Sequence, residues 1–212
     1  MSLSEKIDLS CLLENTSSSQ TRTETATPIP PATKTCRRIK ILTLGEPRVG
    51  KTTLLKRYSE KRFESRYFPT IGVDFGVKRI HDSLELHFWD LAGGSEYLPV
   101  RDEFYGNADC VLLLYDCTDR KTFAALPKWI IEADNHGTNS DNTVFYLCGN
   151  KNDRYCVSSS KDEHQQKQME VSLEKAERFA ALHNMKHFSI SSKTGNSVND
   201  LFQALLDTIT TS

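Results

Sequence analysis

The segment from Gly45 to Thr52 (GEPRVGKT) constrains the fold of this chain more than any other feature. It has the pattern G-x-x-x-x-G-K-S/T, in which glycines allow a loop to wrap closely around phosphate groups. The preceding residues, Arg37 to Leu44, alternate and end at a glycine, which predicts a buried strand. Residues Lys51 to Lys61 follow as a predicted helix. A strand, a glycine-rich loop and a helix in this order predict a phosphate-binding loop in an α/β domain.

The predicted loop presents backbone N–H groups and the positive end of the following helix to phosphate oxygens. Lys51 is expected to reach the β- and γ-phosphates, and the Thr52 hydroxyl is expected to ligate Mg²⁺. The Arg48 side chain has two interpretations: a solvated position, or a group that stabilises charge at the γ-phosphate. The nucleotide-binding residues predicted in this loop are Gly45, Arg48, Val49, Gly50, Lys51, Thr52 and Thr53.

Strand-like and helix-like patterns alternate through the rest of the chain. The runs Cys110 to Tyr115 and Val144 to Cys148 are almost continuously apolar, which suits strands covered on both faces. Two alternating segments flank His81 to Ser83, which predicts a hairpin. Apolar residues at helical spacing occur in three segments, Phe123 to Ala133, Leu173 to Ala180 and Val198 to Ile209. This order predicts a doubly wound α/β domain.

The first 35 residues differ in composition from the rest, because 13 of them are Ser or Thr. Such a segment cannot bury enough apolar surface to offset the entropy of ordering it. We therefore predict a disordered tail over residues 1–35 and one folded domain over residues 36–212. Within the tail, Ile7 to Leu13 has a second interpretation as a short docking helix. The polar stretch Arg154 to Glu170 has the composition of a loop, either a partner site or a passive insertion.

Charge and composition exclude several classes of function. The chain has 27 basic and 28 acidic residues, so its charge gives no reason to expect nucleic-acid binding or polybasic membrane attachment. No stretch approaches about 18 consecutive apolar residues, and the first residues lack a secretory pattern. None of the six cysteines forms a C-x-x-C pair, so a zinc site is not supported. Cys110, Cys117 and Cys148 lie in apolar runs, where free cysteine behaves as a small hydrophobe, so we expect reduced thiols in an intracellular, cytoplasmic protein.

Two further segments predict which base accompanies the phosphates. Asn150 to Asp153 (NKND) ends an apolar strand, where the Asp153 carboxylate can accept hydrogen bonds from N1–H and the 2-amino group of guanine. Adenine lacks both donors and would leave the carboxylate unpaired. Ser191 to Lys193 (SSK) ends the next strand, where a backbone N–H can serve the 6-oxo group and the lysine stem can cover the base. The predicted base-binding residues are Asn150, Lys151, Asp153, Ser191, Ser192 and Lys193, and the expected cofactors are GTP or GDP with Mg²⁺.

Taken together, these motifs resemble those of the small GTPases of the Ras superfamily, nearest the Rab group, from about Arg37 to Ser212. The resemblance implies a P-loop small G domain with a mostly parallel, six-stranded sheet and about five helices. The segment Phe68 to Phe75 (FPTIGVDF) resembles the Rab switch I, which implies that Thr70 contacts Mg²⁺ and the γ-phosphate. Phe63 falls where members of the family stack an aromatic ring on guanine.

The segment Trp89 to Gly93 (WDLAG) resembles the WDTAG motif at the start of switch II. The resemblance implies that Asp90 holds Mg²⁺ through water and that the Gly93 N–H contacts the γ-phosphate. The metal-binding residues predicted in this way are Thr52, Thr70 and Asp90. Two more segments, Lys56 to Phe63 and Val100 to Tyr105, resemble the Rab-like branch known as RJL, whose animal members carry a J domain. We expect no J domain here, because the chain stops soon after its last predicted helix and contains no HPD tripeptide.

One position departs from the pattern of the family. The family usually places after DTAG a glutamine that orients the attacking water, and here that position is Gly94. Glycine has no side chain for this task, so we predict very slow intrinsic hydrolysis, with Lys51, Thr70 and Gly93 as the remaining catalytic residues. Either Ser95 or Glu96 could position the water, although an exposed, mobile switch also explains them.

The resemblance implies partners that respond to the bound nucleotide. Effector, exchange-factor and activating proteins are expected to contact Ile71 to Val77 and Ser95 to Tyr105. Phe75 and Trp89 are candidate exposed anchors, and Trp89 has a second interpretation as partly packed against the core. The chain has no cysteine after Cys156, so we expect no lipid anchor, and we expect a monomer. Two functions stay open at this point: a switch that hydrolyses GTP, and a GTP-loaded scaffold that seldom does.

Overall fold

The computed structural model describes residues 36–138, 142–154 and 170–211. In this part of the chain the strands are β1 (Arg37–Leu44), β2 (Val73–His81), β3 (Leu84–Leu91), β4 (Cys110–Asp116), β5 (Val144–Asn150) and β6 (Lys186–Ser189). They form one sheet in the order β2-β3-β1-β4-β5-β6. The hairpin of β2 and β3 is antiparallel, and every other pairing is parallel.

The helices of the described residues are α1 (Lys51–Glu60), α2 (Leu98–Arg101), α3 (Arg120–Ala124), α4 (Leu126–Asn135), α5 (Leu173–Leu182) and α6 (Val198–Thr211). Only Ala125 separates α3 from α4, so the two form one helical region and the total is five such regions in the described residues. Lys61 ends α1 with a left-handed φ of 56°, and its N–H donates to the carbonyl of Arg57.

Helices cover both faces of the sheet, and the alternation of β1 shows how. Ile39 and Ile41 point to the face that α1 and α6 cover, where they join a cluster with Leu54 and Phe202. Leu42 and Leu44 point to the opposite face and join a cluster with Trp129 of α4 and Ala176 of α5. Every residue of β4 is buried, as expected for a central parallel strand covered on both sides.

The structure confirms the predicted fold class, a doubly wound, mostly parallel α/β domain of the P-loop type. The hairpin turn lies at Asp82 and Ser83, between the end of β2 and the start of β3. The predicted tail over residues 1–35 lies outside the described residues, as do residues 155–169 of the polar stretch. Among the helices that the structure describes, none has the length and apolar character needed to cross a membrane.

Candidate nucleotide-binding site

A cleft of about 550 Å³ lies at the carboxyl ends of the parallel strands, where open α/β sheets bind ligands. Four segments line it: the loop before α1, the segment from Phe63 to Thr70, the segment after β3, and the loops after β5 and β6. Most of the predicted site residues contribute to its wall. Gly45, Val49, Asp90 and Ser191 are not in the wall and lie behind it.

Backbone conformation shapes the loop before α1. Gly45, Arg48 and Gly50 have φ values of 135°, 66° and 100°, which fold the loop back on itself. At Gly50 a Cβ atom would collide with the side-chain amide of Asn150, so this position requires glycine. Gly50 is also the N-cap of α1, and it directs the positive helix end into the cleft. The loop can therefore hold an anion through backbone N–H groups.

Lys51 lies inside this loop with only 6% of its surface exposed. Its Nζ donates to the carbonyl oxygens of Gly45, at 2.8 Å, and Glu46, at 3.1 Å. Burial lowers the pKa of Lys51 to about 8, although nearby Asp90 and Glu46 oppose that effect. A phosphate group in the cleft would supply the negative charge that favours the ammonium form.

Three oxygen-bearing side chains converge beside Lys51. The Thr52 hydroxyl donates to Asp90 Oδ2, and the Thr70 hydroxyl lies 2.9 Å from Thr52 Oγ1 and 3.4 Å from the same carboxylate oxygen. Thr43 fixes the carboxylate from behind by donating to Asp90 Oδ1 at 2.8 Å. Burial raises the pKa of Asp90 despite the hydrogen bonds from Thr52 and Thr43. A set of oxygen ligands with one carboxylate fits Mg²⁺ that is shared with phosphates, so these residues can hold it.

The segment after β3 approaches the phosphate loop closely at Gly93. A Cβ atom here would lie 2.6 Å from the Gly45 oxygen and the Pro47 nitrogen, so only glycine fits without displacing backbone. Gly94 differs, because the three atoms nearest to a Cβ atom there belong to the Glu96 carboxyl group, each at 2.5 Å. Ser95 and Glu96 are both exposed, and Glu96 contributes to the cleft wall.

At the far end of the cleft, buried hydrogen bonds tie the loops after β5 and β6 together. Asn150 donates to the Val49 carbonyl at 2.8 Å, and its Oδ1 accepts from the N–H and hydroxyl of Ser192, both at 3.0 Å. The Ser191 hydroxyl donates to Asp153 Oδ1 at 2.6 Å, while Lys193 Nζ lies 3.9 Å from Asp153 Oδ2. The Asp153 carboxylate is thus oriented toward the cleft and retains acceptor capacity for a ligand.

Lys151 connects the loop after β5 to the phosphate loop, and it also contacts Asp116, a residue that the sequence patterns did not identify. Its Nζ donates to the Arg48 carbonyl and to Asp116 Oδ2, each at 2.7 Å. Burial opposes ionisation of Asp116, but the hydrogen bonds from Lys151 and Thr118 and the charge of Lys151 together outweigh it, so the pKa of Asp116 lies below its ordinary value. Asp116 ends β4, and a polar residue that ends a buried parallel strand is a signal that could have identified it.

Aromatic side chains contribute to the cleft wall, among them Phe63 and Tyr67. Phe63 is 41% exposed, and its stacking on guanine stays a prediction. The Arg48 guanidinium lies 4.9 Å from the Tyr67 ring centroid. Trp89 is half-buried, which supports its interpretation as partly packed against the core rather than as a fully exposed anchor. Its ring centroid lies 4.7 Å from that of Phe75 and 4.9 Å from that of Phe104. Phe75 is more exposed, at 48%.

Comparison with known proteins places this geometry in a family. The family model described as Ras family matches residues 40–211. The protein named DnaJ homolog subfamily C member 27 of Homo sapiens is 34% identical over 176 residues, which cover 78% of this chain and 59% of that protein. The Gallus gallus protein of the same name is 34% identical over 179 residues, with 81% and 61% covered. The chain thus spans about three fifths of the length of the curated relatives that it matches.

Proposed function

The chain belongs to the Ras family and is Rab-like, as its motifs predicted, and from that premise we propose that it is a guanine-nucleotide switch. Ras-family domains bind GTP or GDP with Mg²⁺ and hydrolyse GTP. In the proposed cycle, Thr70 and the Gly93 N–H would contact the γ-phosphate of bound GTP, Thr52, Thr70 and Asp90 would hold Mg²⁺, and loss of the γ-phosphate would release both segments. Mg²⁺ supplies charge neutralisation at the β- and γ-phosphates.

One observation carries the proposal: three different binding elements line or support the same cleft. The phosphate loop offers N–H groups and the Lys51 ammonium, and the Thr52, Thr70 and Asp90 oxygens lie beside it. The Asp153 carboxylate lies at the other end of the same cleft. A nucleoside di- or triphosphate has phosphates, a bound metal and a base edge in that order, so it matches the three elements together.

The proposed preference for guanine rests on the Asp153 carboxylate. Ser191 orients it, and its remaining lone pairs can accept from N1–H and the 2-amino group of guanine. Adenine would leave a partly buried carboxylate without its partners, which is unfavourable. Asn150 supports this end of the site from within, because it ties the Ser192 N–H to the Val49 carbonyl.

The identity of the nucleotide can be tested without adding a ligand. The freshly purified protein is denatured, and the released nucleotides are identified by chromatography and quantified against protein. We expect GDP or GTP at close to one per chain, and adenine nucleotides in traces only. Asp153→Asn is the matched variant, because it keeps the size of the side chain and removes the charge. Predominant release of adenine nucleotides from the unaltered chain would contradict the proposal.

We further propose that intrinsic hydrolysis is very slow. Gly94 has no side chain to orient the attacking water, and positioning supplies much of the catalysis in phosphoryl transfer. Gly94→Gln should raise the single-turnover rate of GTP hydrolysis, because it restores an amide that can orient the water. The new side chain can be accommodated, since the atoms nearest to its Cβ position belong to the flexible end of Glu96. Gly94→Ala is the control, since it fills the same space without an amide. Equal rates for the two variants would refute this explanation of slow hydrolysis.

The absence of a side chain at Gly94 also favours a second function, a GTP-loaded scaffold that seldom hydrolyses its nucleotide. Single-turnover and multiple-turnover measurements of phosphate release separate the two functions. A hydrolysing switch releases more than one phosphate per chain when exchange is allowed. A scaffold releases little phosphate in either assay, keeps its GTP bound, and binds its partners in the GTP-bound state.

Protein partners are proposed to contact the edge of the sheet at β2. Among the described residues this strand pairs on one side only, with β3, and its Phe75 and Val77 side chains are each 48% exposed. Trp89 and Phe104 lie beside Phe75 and form an aromatic surface next to the two segments that contact the nucleotide. Effector, exchange-factor and activating proteins are the classes of partner that such a surface would serve.

A further inference from the structure

A buried arginine lies behind the start of switch II. Arg101, at the end of α2, is 1% exposed and therefore needs partners for its charge. Its Nε donates to Glu132 Oε1 at 2.5 Å, and its Nη2 donates to Glu132 Oε2 at 2.9 Å. This is the bidentate geometry in which arginine binds a carboxylate most strongly. Glu132 belongs to α4, so the pair joins α2 to the helical layer of the domain.

The remaining nitrogen of the guanidinium holds the backbone of switch II. Arg101 Nη1 donates to the carbonyl oxygen of Ala92, at 3.3 Å, and to that of Gly94. These two carbonyls flank Gly93, the residue whose N–H is proposed to contact the γ-phosphate. The conformation of the three-residue segment is therefore fixed by a side chain that does not itself reach the cleft.

The same helix also anchors the phosphate loop. Trp129 of α4 donates from Nε1 to Glu46 Oε1 at 3.0 Å, and its ring lies 4.7 Å below the Arg101 guanidinium. Tyr105 donates to Glu132 Oε1 at 2.6 Å. Burial opposes ionisation of Glu132, but the bonds from Arg101 and Tyr105 keep its pKa below the ordinary value. The phosphate loop and the segment from Ala92 to Gly94, which are both proposed to contact the terminal phosphate, are thus each held in place by contacts with α4.

We propose that Arg101 and Glu132 are positioning residues that hold Ala92 to Gly94 in the γ-phosphate-contacting position before GTP arrives. The inference rests on the proposed function and deepens it. We call the Arg101–Glu132 pair, with its bonds to the Ala92 and Gly94 carbonyls, the clamp. A segment that is already held in the binding position loses little conformational freedom when GTP binds, so the clamp favours the binding of GTP over that of GDP. Without the clamp, only a fraction of molecules would present the Gly93 N–H, and the apparent affinity for GTP would fall by that fraction.

The clamp can be removed without leaving a buried charge unpaired. Loss of one partner alone is expected to destabilise the fold strongly, whereas replacement of both by apolar residues is often tolerated. The test protein is therefore the double variant Arg101→Met with Glu132→Leu. Tyr105→Phe is the control, because it removes one bond to Glu132 and leaves the clamp on the backbone in place. Thermal unfolding confirms that each variant is folded before binding is measured.

Two measurements decide the proposal. The first compares the affinities of nucleotide-free protein for GDP and for a non-hydrolysable GTP analogue in the presence of Mg²⁺. The double variant should lose about tenfold in affinity for the analogue, as expected when one charge-assisted hydrogen bond is lost, and about twofold or less for GDP. The second is amide hydrogen exchange over residues 92–97 in the GDP-bound state, which should be faster in the double variant than in the control.

An unchanged ratio of the two affinities in a folded double variant would overturn the proposal, and so would unchanged exchange. Equal losses for both nucleotides would also overturn it, because they would show a general structural role. A different result identifies failure of the proposed function itself: the unaltered chain would bind neither GDP nor the analogue. Hydrogen exchange on the nucleotide-free protein would then still show whether the clamp orders the segment.

Discussion

Adding one methyl group at Gly93 should separate the phosphate loop from switch II, whereas the same change at Gly94 should not. A Cβ atom at Gly93 would lie 2.6 Å from the Gly45 oxygen and the Pro47 nitrogen. Ordinary van der Waals contact begins at 3.4 Å, so the shortfall is 0.8 Å. The atoms involved are backbone and cannot rotate away. One of the two segments must therefore move by most of that distance.

The expected magnitude follows from the effect of overpacking a close-packed contact. Forcing an extra carbon into such a contact costs about 1–3 kcal/mol, which corresponds to a roughly 5- to 150-fold loss of affinity. The loss should be largest for GTP, because the Gly93 N–H is proposed to contact the γ-phosphate. At Gly94 the atoms nearest to the new carbon belong to the Glu96 carboxylate, which can rotate away, so a change of about twofold or less is expected there.

The assay is equilibrium binding of a non-hydrolysable GTP analogue to nucleotide-free Gly93→Ala and Gly94→Ala proteins in the presence of Mg²⁺. Thermal unfolding of both proteins shows whether either variant is misfolded. The reasoning is refuted if Gly93→Ala binds the analogue as tightly as Gly94→Ala does. It is also refuted if Gly94→Ala is the weaker binder, because the close approach would then not lie at Gly93.

Three further predictions concern single side chains. Asp153→Asn should weaken GDP binding by at least about a hundredfold and shift preference toward xanthine nucleotides, and unaltered guanine preference in competition binding would remove Asp153 from its role. Thr52→Asn should weaken Mg²⁺-dependent GTP binding by at least about tenfold, and the comparison is titration with and without Mg²⁺. His187 is half-buried, and this partial burial lowers its pKa to about 4 from 6.5, so only the unfolded state takes up a proton as pH falls through this interval. The free energy of unfolding should decrease by up to about 1.4 kcal/mol per pH unit below pH 6.5, and His187→Gln should flatten this slope in denaturant titrations, with exposed His81→Gln as the control.

The conformation of the phosphate loop and the positions of the two loops proposed to bind the base were predictable, because each loop is a continuous segment with a recognisable sequence pattern. The positions of Gly45 and Gly50 follow from backbone geometry that neighbouring residues set locally. Asp153 was predictable because the ends of adjacent parallel strands meet at one edge of a sheet. Burial of β4 followed from its continuous apolar run for the same reason, since a central parallel strand faces helices on both sides.

The clamp was not predictable, because its members are distant in sequence and polar. Arg101 and Glu132 are 31 positions apart, and Trp129 is 83 positions from Glu46. Charged residues in helices usually face solvent, so neither partner alone indicates burial. One signal was present: Glu132 follows Trp129 by three positions and thus lies on the apolar face of α4.

The alternation of apolar and polar residues along β3 was also insufficient to predict how exposed Trp89 is. Alternation correctly separated the core-facing residues of the strand from Trp89, which points to the other side. It could not show that Phe75 and Phe104, from neighbouring segments, would cover that ring. Packing between elements that are not consecutive in sequence decides how exposed such a side chain is. The two-residue period of a strand carries no information about that packing.

Calorimetric titration of nucleotide-free protein with GDP and, separately, with ADP, both in the presence of Mg²⁺, tests the central claim most directly. The claim predicts one site per chain for GDP and an affinity for ADP that is lower by at least about a thousandfold, because adenine cannot satisfy Asp153. Equal affinities for the two nucleotides, or the absence of heat with GDP, would contradict it.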